Sequence, residues 1–221
     1  MIKHLLVQRA VRSHLLSLTV ASTSGVNLSG ISGGYSRASG SFLADGYAIG
    51  HEIVAAGFTS PLLNGSKIIT GVSASTLTVA GGGAVESSGS GRTITCGLPT
   101  RRAWEGMPFT PTEGAPYVSE LYLGGPQTVI TVQAVGGEVE ATPIYQVTIR
   151  AKSGVGVDAL ATYADALLAH FTPGLSLAMA DGNSVRVRAD TAPYRSTLVL
   201  DSPGWAALSV AIPLRSYTTT T

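Results

Sequence analysis

The spacing most suggestive of chemistry is Gly154-Val-Gly156-Val-Asp-Ala159, a G-x-G-x-x-A run between a strand-like and a helix-like segment, with Asp181 downstream. Such a run can hold a dinucleotide pyrophosphate on a helix N-terminus while an acidic residue reaches the ribose. Two features argue against that use. The segment before the glycines alternates as a half-exposed strand does, and no further strand-helix units follow to build a doubly wound sheet. The glycines are read as shaping an ordinary strand-to-helix turn.

The four histidines, His4, His14, His51 and His170, are scattered over three expected elements, none at metal-ligand spacing from another His, Cys or acidic residue. His51 and Glu52 are adjacent, and neighbours in a strand point to opposite faces. Cys96 lies in a strand-like run with no histidine pairing, so it reads as a small core residue, and as the single cysteine it cannot close an internal disulfide. No G-x-S-x-G elbow is present. Asn27-Leu-Ser29 and Asn64-Gly-Ser66 match glycosylation triplets, which matter only in a secreted chain. Lys3, Arg9 and Arg12 followed by residues 15–21 resemble a signal peptide only faintly, because Ser17 and Thr19 break the apolar run. No catalytic, metal or cofactor site is expected.

The positioning elements follow from composition and periodicity. Of 221 residues, 44% are hydrophobic and 12% charged, about half the usual charged share, so the surface relies on Ser, Thr and Gly. That suits a protein packed against others. A net charge of +1 gives no cationic field to gather nucleic acid. No apolar run reaches the roughly 18 residues that span a bilayer, and the chain is expected to be soluble, without a membrane partner.

Residues 2–18 lack Gly and Pro, and Val7, Val11, Leu15 and Leu18 recur at helical spacing. Arg9 and Arg12 lie mostly on another face, either as a patch that docks an acidic partner or as an ordinary solvated surface. From residue 19 to 97 the character changes: sixteen of the 27 glycines and only six charged residues fall here. This predicts an all-β unit, a small sandwich or barrel, with strands at 18–22, 41–43, 52–56, 67–72, 76–80 and 93–96. Residues 100–118 are proline-rich and should be an extended, ordered connection. Trp104 and Phe109 within it, and Trp205 later, are candidate core anchors; Trp104→Ala is expected to destabilise the core domain by about 3–5 kcal/mol through lost core packing.

Strands are predicted at 117–123, 127–135, 144–151, 184–189 and 205–217, and a helix at 158–171 with Leu160, Ala161, Ala164, Leu167, Leu168 and Phe171 as its stripe. Gly136-Gly137 suits a tight hairpin turn, making 127–142 a protruding arm. Clean alternation at 144–151 favours an antiparallel sheet. Pro213 removes a ladder donor, so 205–217 is expected to be an edge strand or one broken by a bulge.

Part of the glycine-rich region resembles a small β module inserted in various tailed-phage virion proteins. The likeness is carried by Arg37, Ser39 to Phe42, Asp45-Gly46, Gly50, Gly57-Phe58, Asn64-Gly65 and the closing SASTLTV. Without residues 19–97, the order of motifs resembles the tail terminator proteins of long-tailed bacteriophages. It rests on Leu98-Pro99-Thr100, Ala103-Trp104-Glu105, Pro108 to Pro111, Gly114 to Tyr117, Tyr145-Gln146-Val147, Gly154-Val-Gly156 and Gly204-Trp205. The fold class is therefore expected to be α+β, a mainly antiparallel sheet packed by two helices. Residues 1–18 and 98–221 would form the core domain, interrupted by the inserted all-β domain at 19–97.

The resemblance implies a non-enzymatic virion protein: a homo-oligomeric ring, hexameric in that family, that caps the head-proximal end of the tail tube and stops its growth. Its partners would be the major tail tube protein and a head-completion or neck protein, with DNA only as passing cargo, after assembly in the host cytoplasm. Candidate interface residues are Arg9, Arg12, Arg101, Arg102, Val129, Gly136, Gly137, Pro213 and Arg215.

Overall fold

A computed structural model describes residues 4–24, 27–130, 138–154, 157–201 and 204–219. The chain runs α1 (His4–Leu15), β1 (Thr19–Thr23), β2 (Leu28–Ile31), β3 (Gly34–Arg37), β4 (Glu52–Ala56), β5 (Gly65–Val72), β6 (Thr76–Val79), β7 (Glu86–Gly89) and β8 (Thr93–Gly97). It continues through β9 (Arg102–Ala103), β10 (Tyr117–Leu123), β11 (Gln127–Val129), β12 (Glu138–Ala141), β13 (Ile144–Lys152) and α2 (Val157–His170). The last elements are β14 (Ser176–Ala178), β15 (Ser184–Val187), β16 (Tyr194–Arg195), β17 (Val199–Asp201) and β18 (Trp205–Thr219). With two sheets and two helices among the described residues, the protein is mainly β, a shift from the α+β balance expected. The excess comes from strands of two to four residues, too short to show a period.

The first sheet, β1-β8-β4-β5-β6-β3-β2-β7, has eight strands. β5 is shared, pairing with β4 through its first half and with β6 through its second. Residues 41–43, expected as a strand, form turns instead: Tyr47 N–H donates to the Phe42 carbonyl, and Phe42 is buried against Tyr47. Gly34, at φ +153°, brings the backbone so close to the Leu77 carbonyl that a Cβ would lie 2.0 Å from its oxygen; only glycine fits this crossing.

The second sheet has ten strands, with a spine β11-β12-β18-β13-β10-β9. Its centre is β18, and the edge position expected for 205–217 is overturned. One side of β18 pairs with β13 over Trp205 to Pro213 and with β12 over Ser216 to Thr219. The other side pairs with β17, β16 and β15 in turn. Pro213 is buried, and its carbonyl accepts the Arg188 N–H at 2.9 Å. Its missing N–H therefore faces the place where β16 has ended and β15 begins, so a central strand tolerates it.

β13 is antiparallel to both β10 and β18, which leaves no doubly wound sheet for the glycine run. Gly154 takes a positive φ of 80° in the turn before α2, while Val155 and Gly156 lie outside the described residues. α2 buries Ala159, Leu160, Tyr163, Ala164 and Leu167, a stripe rotated so that Tyr163 replaces the expected Ala161 and Leu168. The helix packs on β13 and β18 and also on β1. One hydrophobic cluster runs through both sheets.

Candidate subunit interface

The ten-stranded sheet ends in exposed apolar backbone at two places. At one, Pro126 leads into β11, whose residues are all exposed, with Val129 at 59% and Ile130 at 46%. β11 pairs with β12, and the ladder is bracketed by Thr142 N–H to the Pro126 carbonyl and Ile130 N–H to the Glu138 carbonyl, 3.3 and 2.8 Å. Gly125 lies at its base, where a Cβ would meet the Thr142 carbonyl oxygen at 1.8 Å. The expected turn at Gly136 and Gly137 lies outside the described residues. At the other place, Leu198, Val199 and Leu200 are exposed, Leu200 at 75%. A groove of about 500 Å³ lined by Val157, Ala161, Leu198 and Leu208, together with the polar Arg195, Ser196 and Thr197, runs between this segment and α2.

Charged groups hold the arm down. Arg215 Nε lies 2.6 Å from Glu140 Oε1, joining β18 to β12, and its Nη2 lies 3.7 Å from Asp190. Arg188 donates twice to Asp190, 3.0 and 2.6 Å, and this hydrogen bonding holds the Asp190 carboxyl down to about 2. Arg215, expected at an interface, is thus engaged within the subunit, and Pro213 is buried beneath it.

The other basic candidates divide similarly. Arg9 is exposed. Arg12 forms a two-pronged pair with Glu120, a carboxylate whose side chain is fully buried. Tyr145, itself buried, donates to the same carboxylate; burial and that bond push its hydroxyl far above the usual range. The Glu120 hydrogen bond likewise raises the Arg12 guanidinium. Trp104 lies under Arg12 at 4.8 Å and under Arg102 at 5.9 Å. Desolvation lowers Arg102.

Trp104 is half-buried against the core, and Phe109 and Trp205 are half-buried as well, so none of the three expected anchors is fully buried. Phe109, Tyr117 and Trp205 form a row with ring centroids 5.0 and 5.1 Å apart. The fully buried rings are Tyr35, Phe42, Tyr145, Tyr163 and Phe171. Each of these tyrosines buries a hydroxyl that finds a partner.

A second polar cluster joins the two sheets. Glu52, buried in β4, accepts from Thr100 N–H at 2.9 Å, Thr100 Oγ1 at 2.7 Å and Ser66 Oγ, while Arg101 stands 3.8 Å away. Tyr163 in α2 accepts the Glu52 backbone N–H at 3.1 Å. Its ring lies 4.6 Å from that of His51, which is fully buried and held down to about 4 by desolvation. Cys96 is buried alongside, 3.9 Å from the Tyr163 hydroxyl, and burial pushes its thiol up to about 12. Across the molecule, His14 and His170 stack at 3.9 Å, each ring bonding the other residue's carbonyl, which ties the C-terminus of α1 to that of α2. No group of three potential metal ligands occurs among the described residues.

The chain is mainly β, and its ten-stranded sheet ends in uncovered apolar strands. A family description, phage tail terminator protein, matches residues 90–214, more than half of the chain, and the chain belongs to that family. It is a structural component of the phage tail. The match begins just before β8, leaving residues 1–89 outside it. No curated protein matches. One solved structure, whose designation describes no function, is 25% identical over 57% of this chain and 81% of its own, at a TM-score of 0.40; so low a score carries no argument.

Proposed function

We propose that copies of this chain close into a hexameric ring that caps the head-proximal end of the tail tube, stops its polymerisation and presents a surface for head attachment. The observation that carries this reading is the pair of uncovered apolar strand edges on a sheet of a tail terminator family member. Edges left so bare are otherwise a liability for a soluble subunit. In this reading the tube protein and a neck protein meet opposite faces of the ring, DNA passes as cargo through it, and assembly takes place in the host cytoplasm. The chain divides into a core domain of 1–18 and 98–221 and an insert of 19–97 that faces outward.

The purified protein is expected to run as a closed oligomer and to bind the ends of isolated tubes, and its loss during assembly should give tubes of uncontrolled length. A strictly monomeric protein that ignores tube ends and whose loss leaves tube length unchanged would refute the reading. A second reading keeps the tail setting and makes the eight-stranded sheet a binding or decoration module, favoured by exposed Leu43, Leu62 and Val85. A label on that sheet found at the tail tip, away from the head, would select it.

A further inference from the structure

Among the described residues, most strand edges are protected. β7 carries Glu86, which is paired with Arg92 and accepts the Thr59 and Ser60 N–H groups. β9 is two residues long and includes Arg102. α2 packs on β1 and α1 on β14. Two edges are more apolar: Gln127 to Ile130 hold no charged residue and no proline, and Ser196 to Leu200 hold none between Arg195 of β16 and Asp201, the last residue of β17, where charge and proline are the devices that usually prevent edge pairing.

Their polarities fit each other. β11 is antiparallel to β12, and β12 to β18, so β11 runs in the direction of β18. β17 is antiparallel to β18 and lies on its other side. Two copies in the same orientation would therefore bring β11 of one beside β17 of the next as antiparallel strands. Antiparallel alternation, with Pro126 and Ile130 bonding towards β12, turns the N–H and C=O groups of Gln127 and Val129 outward. The groove beside Leu198, lined by both apolar and polar residues, can take the side chains of the arriving strand.

We propose that the β11 edge of one copy adds as an antiparallel strand to the β17 edge of the next, continuing one sheet from subunit to subunit. Because the two edges differ, the contact is heterologous, and repetition closes a ring or runs on as a filament. The proposal rests on the ring reading above and specifies its contact.

Two charge substitutions test it, Val129→Lys on one edge and Leu200→Lys on the other, with Val85→Lys, in the exposed loop before β7, as control. Each edge variant alone should fall to the mass of a single chain, 22.5 kDa, while the control keeps the wild-type oligomer. An equimolar mixture of the two edge variants should form a species of twice that mass and nothing larger, since each supplies the edge the other lacks. Retention of the wild-type oligomer by either edge variant alone, or a mixture that stays monomeric, overturns the pairing while leaving a ring possible by other contacts. A wild-type chain that stays monomeric, ignores tube ends and can be lost without changing tube length overturns both readings. Should a variant misfold, hydrogen exchange on the wild-type oligomer decides: protected amides at Gln127 and Val129 are expected, and exchange at the rate of free amides overturns the pairing.

Discussion

Glu120 and Glu52 are both buried carboxylates on strands, and the molecule treats them differently. Glu120, inside the ten-stranded sheet, is met by a cation: Arg12 closes on it from α1, with Tyr145 as a second donor. Glu52, in the eight-stranded sheet, is met mainly by neutral donors from Thr100 and Ser66, with Arg101 more distant. The first arrangement fastens a helix to the sheet beneath it through charge. The second fastens one sheet to the beginning of the other through directed hydrogen bonds, which tolerate no charge loss but demand geometry. Charge pairing thus serves between helix and sheet, and donor geometry serves between sheet and sheet.

The comparison can be broken most severely at Arg12. Arg12→Met leaves Glu120 buried without its cation, and chemical denaturation should show a loss of about 3–5 kcal/mol. A loss below about 1 kcal/mol would mean that Tyr145 and the Glu105 N–H already satisfy the carboxylate. Acid should strike the other cluster. His51 is held down to about 4 in the folded chain, against an ordinary value near 6.5, so the unfolded chain binds the extra proton. The stability contributed by neutral His51 is full above about pH 6.5 and is lost as pH falls towards 4, by about 3 kcal/mol in all. The His51→Gln variant, compared by urea titration at pH 7 and 4.5, should lack that share of the slope; an unchanged slope would place it on other groups.

Glu52→Gln is expected to cost about 1–3 kcal/mol, because one carboxylate oxygen becomes an amide donor facing the Thr100 N–H. The smallest effect should come from Trp104→Ala. The ring is half-buried, so the fully buried expectation shrinks to about 1–2 kcal/mol, part of it the lost stacking under Arg12. A double-mutant cycle between Trp104 and Arg12 should find the two coupled; strict additivity would show that the stacking contributes nothing.

The longer periodic elements were legible before any coordinates. Val7, Val11 and Leu15 mark α1, and the alternation of Tyr145, Val147, Ile149 and Ala151 marks β13, because burial on one face imposes its period on the sequence. β16 and β17 left no such trace: at two and three residues, their pairing is dictated by β18. The same tertiary dependence misplaced Pro213, since a missing donor shows which hydrogen bond is lost and not whether a neighbour stands there. Of the candidate interface, Val129 was readable as an exposed apolar residue on an arm. The β17 edge was not, because Leu198 to Leu200 reads like any buried run. The internal partners of Arg12 and Arg215 were equally hidden: Glu120 and Asp190 are remote in sequence.

β18 also has a mechanical meaning. At about 3.3 Å per residue, its fifteen residues span on the order of 50 Å, with β12 bonded near its C-terminal end and β17 near its N-terminal end. Tension applied between these two ends runs lengthwise along a single strand. The ladder bonds to β13 and to β15, β16 and β17 then bear the load together, in shear, so that no one bond can be peeled open first. A subunit gripped at both places would behave as a strut.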